Sequence, residues 1–323
     1  MNALSDIDVS VIIPAWKAAD FVGRAVASAL ASTGVSLEVI VVDDASPDAT
    51  FDVLKALAAA DARIVPDRLP VNGGPSAARN RALDLARGRY IAILDADDTM
   101  AAGRLKTLVA LADETGADIV VDNLTEVDEQ DRTLGPAPFV TSAIFAQPRE
   151  ISLADYVHFN QPLKPVDCLG YLKPLFRRAT LERTGHRYDP ALRNSEDYYL
   201  VAHLLVSGAK MRWTPEAGYR YQRSPESTSH RLKPTQTAAW LIAERDFQQK
   251  FQNRLSDAER TALRRRERLL RDVDQFVRAV EAAKARDPAA LISVLASDPQ
   301  AALFTLSMFA KIATSKVRGR KVR

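Results

Sequence analysis

Three carboxylates, Asp95, Asp97 and Asp98, follow directly on the apolar run Tyr90-Ile91-Ala92-Ile93-Leu94. An apolar run of that length, bounded by Gly88 and the acids, predicts a strand covered on both faces. In open α/β sheets ligands bind beyond the carboxyl ends of the strands, so these acids fall where a site belongs. Extended alternation aims Asp95 and Asp97 the same way. Two carboxylates held like that repel each other unless a cation lies between them. Oxygen-only ligation suits Mg2+ or Mn2+, ions that keep few protein ligands and bind substrate phosphates as well. A lone Asp-x-Asp reads first as a solvated acidic loop, but here the strand before it and other groups at strand ends favour a site. Trp16 offers a ring on which a base can stack, and Asp44 an acceptor for a ring N–H such as uracil N3–H. Alone, Trp16 would read as a lid over the sheet edge.

The elements that must position these groups alternate along the first half of the chain. Asp8–Ile13 predicts a strand stopped by Pro14, and Phe21, Val22, Val26, Ala29 and Leu30 recur at helical spacing behind Asp20, a candidate N-cap. Glu38–Val42 predicts a second strand ending in Asp43-Asp44; Phe51, Leu54, Leu57 and Ala58 mark a second helix, and Arg63–Val65 a short third strand. The turn Asn72-Gly73-Gly74-Pro75 opens a third helix, with Gly88 as its C′ residue. After the Tyr90–Leu94 strand come a helix ending at Gly116 and a strand over Ile119–Val121. Such alternation implies a mostly parallel, doubly wound sheet. Segment 123–150 reads as a loop or hairpin insertion around Gly135-Pro136-Ala137-Pro138. Beyond it lie a strong helix near Glu196–Val206 and two strands near Lys210–Trp213 and Tyr219–Gln222. From Thr235 the chain is helical, with a capping box at Ser256-x-x-Glu259 and N-cap acids before prolines at Asp287-Pro288 and Asp298-Pro299, which open two short helices.

A dinucleotide fold would need Gly-x-Gly-x-x-Gly after the first strand, where Pro14-Ala15-Trp16-Lys17 stands instead; the Walker phosphate loop is missing too. Four ordered motifs then carry a resemblance: Val9–Trp16 (Val-Ser-Val-Ile-Ile-Pro-Ala-Trp), Val42–Thr50 (Val-Asp-Asp-Ala-Ser-Pro-Asp-Ala-Thr), Asn72–Asn80 (Asn-Gly-Gly-Pro-Ser-Ala-Ala-Arg-Asn) and Leu94–Asp98 (Leu-Asp-Ala-Asp-Asp). Together they resemble a family 2 glycosyltransferase of the GT-A fold, over about the first hundred residues. The resemblance implies an inverting transferase that uses a nucleotide-diphospho-sugar and a divalent cation, Mn2+ or Mg2+. By position it implies Pro14, Ala15, Trp16 and Asp44 around the base, Asn72 and Arg79 lining the nucleotide pocket, and Asp95 with Ala96 near the ribose and metal. Asp97 becomes the main metal ligand. Lys17 departs from the family, which usually has Asn there, and the departure bears on the first loop. Ser46, Asp48 and Thr50 match the family, but turn and cap roles suffice for them.

Direct displacement with inversion also needs a base near the acceptor hydroxyl. Glu196-Asp197, opening an apolar helix, matches the family's Glu-Asp pair; the match makes Asp197 the base and has Glu196 position the acceptor. Read without the family, acids in a first helical turn are explained by the helix dipole. The segments Lys173–Arg178 and Tyr219–Arg231 also resemble the family. In the second, Arg223 or Arg231 can pair with phosphate and His230 can add a third metal ligand, although a solvated loop explains the same residues.

The 323 residues, 47% hydrophobic and 26% charged, have the composition of an ordinary soluble protein, and a net charge of +3 is too small to imply nucleic acid. The single Cys168 fits a reducing compartment. No secretory leader is visible, and no apolar run approaches the ~20 residues of a membrane span. The protein is expected to be cytoplasmic, or peripheral on the cytoplasmic face of a membrane. Leu303, Phe304, Leu306, Met308, Phe309 and Ile312 lead into six cations among the last thirteen residues, a pattern that suits an anionic membrane surface or a packed helix with a basic tail. No aromatic residues interleave with those cations, which argues against nucleic acid.

The expected organisation is a nucleotide-sugar-binding half over 1–122, an acceptor half with the base over 123–231, and a helical extension over 232–323. The expected task is sugar transfer to a saccharide acceptor, a lipid-linked intermediate of a bacterial surface polysaccharide, as in succinoglycan-type exopolysaccharide transferases. The competing readings are a sugar-phosphate nucleotidyltransferase, which lacks its glycine-rich loop here, and a non-catalytic nucleotide-sugar-binding protein.

Overall fold

The computed structural model describes residues 7–134, 138–162, 167–223 and 232–317. The chain divides into two compact units, Met1–Asn160 with Pro165–Ser227, and Gln161–Lys164 with Thr228–Arg323.

The first unit is built on one sheet. Its strands are β1 (Val9–Ala15), β2 (Leu37–Asp43), β3 (Ile64–Arg68), β4 (Tyr90–Ile93), β5 (Thr99–Met100), β6 (Ile119–Val127), β7 (Arg149–Ile151), β8 (Leu175–Arg177) and β9 (Met211–Gln222). Their order is β3-β2-β1-β4-β8-β6-β9-β5, with β7 also on β9. The first four run parallel; β8 runs antiparallel to both β4 and β6, and β6 and β9 are parallel again. The helices are α1 (Val22–Leu30), α2 (Thr50–Ala60), α3 (Pro75–Leu85), α4 (Arg104–Thr115), α5 (Leu153–His158), α6 (Arg178–Thr184) and α7 (Glu196–Val206). Every residue of β2 and β4 is buried, as continuous apolar runs under helices must be.

Four local expectations are corrected. Pro14 does not end β1. Leu94 N donates to Ile12 O, so Ile12 and, two residues on, Pro14 turn their backbone polar groups toward β4, whose pairing stops at Ile93; no donor is missed there. Gly88 is not a helix cap, because α3 ends at Leu85 with Ala86 extended. A Cβ on Gly88 would lie 2.5 Å from Ser10 N, and that close approach to β1 is what requires glycine. β6 runs on to Val127 in place of a loop, and β9 is one strand through Pro215. The polar residues that hid β6 are satisfied from elsewhere: Arg104 donates to both oxygens of Asp122 at 2.9 and 2.8 Å, and Asn123 exchanges two bonds with the Val140 backbone.

The second unit is helical: α8 (Pro234–Phe251), α9 (Asp257–Lys284), α10 (Pro288–Ser297) and α11 (Pro299–Val317), the last longer than the short helix expected. Ser256 and Glu259 form the capping box of α9, and the Asp287 side chain accepts from Ala290 N. Gln275 on α9 clasps α10 and α11, donating to Val294 O at 2.8 Å and accepting from Thr305. Phe276 packs edge-on to Phe304.

Candidate active site

The carboxyl ends of β1, β2 and β4 bring together the first expected groups. Asp44 follows β2 and is tied back to β1 by its N–H on Ala15 O at 2.8 Å. Its carboxylate closes the Asn72-Gly73-Gly74 turn, accepting from Asn72 Nδ2 (2.8 Å), Gly73 N (2.7 Å) and Gly74 N (2.8 Å). Glycine is required at Gly74, whose φ is +83°. Asp44 and Asn72 therefore build the turn itself, and a bond from Asp44 to a base would be an additional one. β1 passes through Pro14 and ends at Ala15, which is buried, and Trp16 beyond it is 52% exposed. Lys17 takes a φ of 51°, a left-handed conformation that Asn adopts more readily, which accounts for the family's usual residue. Ser46 Oγ accepts the Lys17 N–H and Thr50 Oγ1 the Ala18 N–H, so the matched hydroxyls brace this loop.

Arg79, on α3 and 4% exposed, is the centre of a buried charge cluster. Nη2 lies 2.8 Å from Asp95 Oδ1, and Nη1 lies 2.6 Å from Glu196 Oε1 and 3.6 Å from Asp197 Oδ1. Its guanidinium also covers the Tyr188 ring, 5.3 Å from the centroid. A second cation comes from the residue pair before β8: Lys173 Nζ is 2.8 Å from Asp95 Oδ2 and 3.3 Å from Asp197 Oδ2. Burial alone would raise the Asp95 carboxyl, but Lys173 and Arg79 outweigh it and hold the group well below the usual carboxylate range. Burial, and then Asp197, push Glu196 up. Glu196 is 7% exposed and bonded to Arg79, which it buttresses. Asp197, beside it in the first turn of α7, is the more open of the two acids. The turn into α7 passes through Ser195 at φ 65°, a strained left-handed position that fixes where both acids emerge.

At the tip of β4 the three carboxylates have different surroundings. Asp95 is paired as above, and Ala96 is buried. Asp98 accepts from Tyr219 Oη at 2.6 Å and Gln222 N at 2.7 Å, which ties the tip to β9. Asp97 has no counterpart of these bonds among the described residues. Burial, with Asp95 next, pushes its carboxyl above the ordinary value, and the bond acting against this is to its own backbone. A half-buried carboxylate of that kind fits a divalent cation. Among the described residues no three His, Cys, Asp or Glu side chains gather as a ligand set. His230 and Arg231 lie outside the described residues. Arg223 is paired with Glu126 at 2.8 Å. Lys173 and Tyr219 were not singled out as site residues, since nothing in their local sequence distinguishes a buried ion-pair lysine from a basic strand edge.

Parallel strands with acids at their tips, continued through an antiparallel strand into a second sheet region, define the GT-A fold of glycosyltransferases. The structure of Staphylococcus aureus TarS 1-349 in complex with UDP-GlcNAc matches with a TM-score of 0.62 at 17% identity, over 98% of this chain and 93% of that one, a likeness of fold. Residues 10–179 match Glycosyl transferase family 2, and the chain belongs to that family. The succinoglycan biosynthesis protein ExoO of Rhizobium meliloti (strain 1021) is 36% identical over 292 residues, 90% of this chain and 82% of that protein. ExoU of the same organism is 36% identical over 276 residues, 84% and 78% of the two chains. An Escherichia coli protein, UDP-Glc:alpha-D-GlcNAc-diphosphoundecaprenol beta-1,3-glucosyltransferase WfaP, is 31% identical over 208 residues, 64% of this chain and 73% of that one. The family and these relatives give the chain a role in glycosyl transfer.

Proposed function

We propose that this chain is an inverting, cation-dependent glycosyltransferase that moves a sugar from a nucleotide-diphospho-sugar, a UDP-sugar in the first instance, to a lipid-linked saccharide of surface polysaccharide synthesis. The observation that carries the reading is the contrast between two acids: among the described residues Asp97 makes no direct ion pair, Lys173 and Arg24 acting on it only at longer range, while Asp197 is held by Arg79 and Lys173. A divalent cation on Asp97, with Asp95 beside it, would neutralise charge on the departing diphosphate. Trp16, 52% exposed, can offer its ring to a base, and the Asp44 turn would lie beneath the nucleotide. Asp197 Oδ2 accepts from Lys173 at 3.3 Å and keeps lone pairs to take the proton of an acceptor hydroxyl. The names of ExoO and WfaP support an acceptor of the exopolysaccharide or diphosphoundecaprenol kind.

The test is a thermal-shift screen of UDP-, GDP- and dTDP-sugars with and without Mn2+. A ligand that binds only the folded chain raises its melting point. The donor should do so far more strongly with Mn2+, and Asp97→Ala should erase the difference. Equal shifts without the cation, or an unaltered response in Asp97→Ala, would reject the cation site. Folded Asp197→Asn with normal sugar transfer would reject the base.

The same reading places the C-terminal helices on an anionic membrane surface. Leu303 and Leu306 on α11 are 72% and 53% exposed, no acid occurs after Asp298, and six cations follow from Lys311 onward. No helix among the described residues is long and apolar enough to cross a membrane. Sedimentation with phosphatidylglycerol vesicles should fall to the level of neutral vesicles on removal of residues 299–323; unchanged sedimentation would reject the surface.

A further inference from the structure

We infer that Lys173 is a positioning residue for the transfer reaction, holding the Asp197 carboxylate in register with the donor-side acid Asp95. The inference rests on the proposed role of Asp197 as base and adds the residue that aims it.

Lys173 joins two carboxylates that come from different elements, one after β4 and one opening α7. One oxygen of each faces its ammonium, at 2.8 Å for Asp95 and 3.3 Å for Asp197. Arg79 meets the other oxygen of each, at 2.8 and 3.6 Å. Asp95 and Asp197 are thus clamped from both sides between the same two cations. Glu196, the third acid in the cluster, has Arg79 as its cation among the described residues, at 2.6 Å. Without Lys173, three acids would compete for one guanidinium, and Asp197 holds the longest and weakest of its contacts. It is the group that would move.

The backbone around Lys173 is fixed by a separate set of bonds. Arg104, itself locked on Asp122, donates to Lys173 O, and Ile93 N donates to Pro174 O at 3.4 Å, beside the end of β4. A residue before proline is restricted to extended conformations. The side chain is 8% exposed. A lysine has ordinarily several rotatable bonds to lose, and here burial has removed that freedom, which is what a positioning group needs. Its compact charge also reaches two carboxylate oxygens at once without requiring the planar fork of an arginine.

The experiment compares full-length Lys173→Met, Lys173→Arg and Asp197→Asn. Turnover is read as nucleoside diphosphate released from whichever UDP-, GDP- or dTDP-sugar raises the melting point, and crystal structures of the lysine variants report where Asp197 lies. In Lys173→Met the Asp197 carboxylate should leave Arg79, and kcat should fall by about 10²-fold, the size of effect a misplacement of ~1 Å can have. Donor KM and the Mn2+-dependent melting shift with UDP should stay within about threefold and a few degrees of the wild type. Lys173→Arg should recover part of kcat. An unmoved Asp197 with unchanged kcat in Lys173→Met overturns the inference, even if the melting point falls, because the lysine is then structural only. If Lys173→Met does not fold, kcat in Lys173→Arg decides: a loss confined to kcat supports positioning, and wild-type kcat overturns it. Inactive Asp197→Asn beside fully active Lys173→Met sinks this inference alone, whereas active Asp197→Asn sinks the base assignment beneath it.

Discussion

Arg79 Nη2 lies 2.8 Å from Asp95 Oδ1, joining a helix that follows the glycine turn to the strand tip where the acids converge. The same side chain reaches Glu196 through its other terminal nitrogen, so one guanidinium spans both halves of the site. A lysine has no fork with which to do this. Arg79→Lys should cost about 3 kcal/mol, the range for breaking a buried ion pair. A urea titration checks it: the midpoint should fall with an unchanged m value.

The Asp44 carboxylate accepts three hydrogen bonds from the turn that follows β3. Asparagine at this position offers one acceptor oxygen and presents N–H groups to N–H groups. Asp44→Asn should therefore destabilise by about 2–3 kcal/mol, as expected for a buried donor left unmet. It should also weaken UDP binding in isothermal calorimetry, because the turn beneath the nucleotide loosens. Unchanged stability would mean that the turn stands without its carboxylate.

Tyr90 Oη donates to Asp113 Oδ1 at 2.6 Å. Burial, then this bond, pushes the phenol up to about 12. Its folded value thus exceeds the ordinary ~10 of an unfolded chain. The sign follows: the contribution is complete below about pH 10 and is lost as pH rises through the folded value. Tyr90→Phe should be less stable than wild type by about 1 kcal/mol near neutrality. The gap should close above about pH 10 in denaturant melts across the alkaline range, and a gap constant with pH would contradict the assignment.

Lys17 sits at φ 51°, where a residue with a Cβ and a long stem is disfavoured. Lys17→Asn should stabilise by about 0.5–1 kcal/mol, since Asn enters this region more readily. The ammonium also lies 4.6 Å from the centre of the Trp16 ring. A lower melting point for the variant would show that this cation–π contact outweighs the backbone strain.

Reading the chain residue by residue located the strands that lead to Trp16, Asp44 and Asp95, because each is a buried apolar run cut off by polar residues. It located α7 to the residue for the same reason. It missed the continuation of β6, where Asp122, Asn123 and Thr125 look like a loop until Arg104 and Val140 are seen to satisfy two of them. It misread Gly88, whose constraint comes from Ser10 on a distant strand. The segment from Lys173 is legible as a family match, but its ion pairs are not, because its partners lie 78 and 24 residues away along the chain. Alternation is a local signal, and the pairing of buried charges is not.

The turn that Asp44 closes has one more consequence. With its oxygens already occupied by backbone and amide donors, the turn is held in shape by the chain's own groups. A nucleotide seated on this turn, as proposed, would meet a preorganised surface and lose little of its affinity to freezing a loop. Differences in affinity among nucleotides should then follow the chemistry of their bases and phosphates.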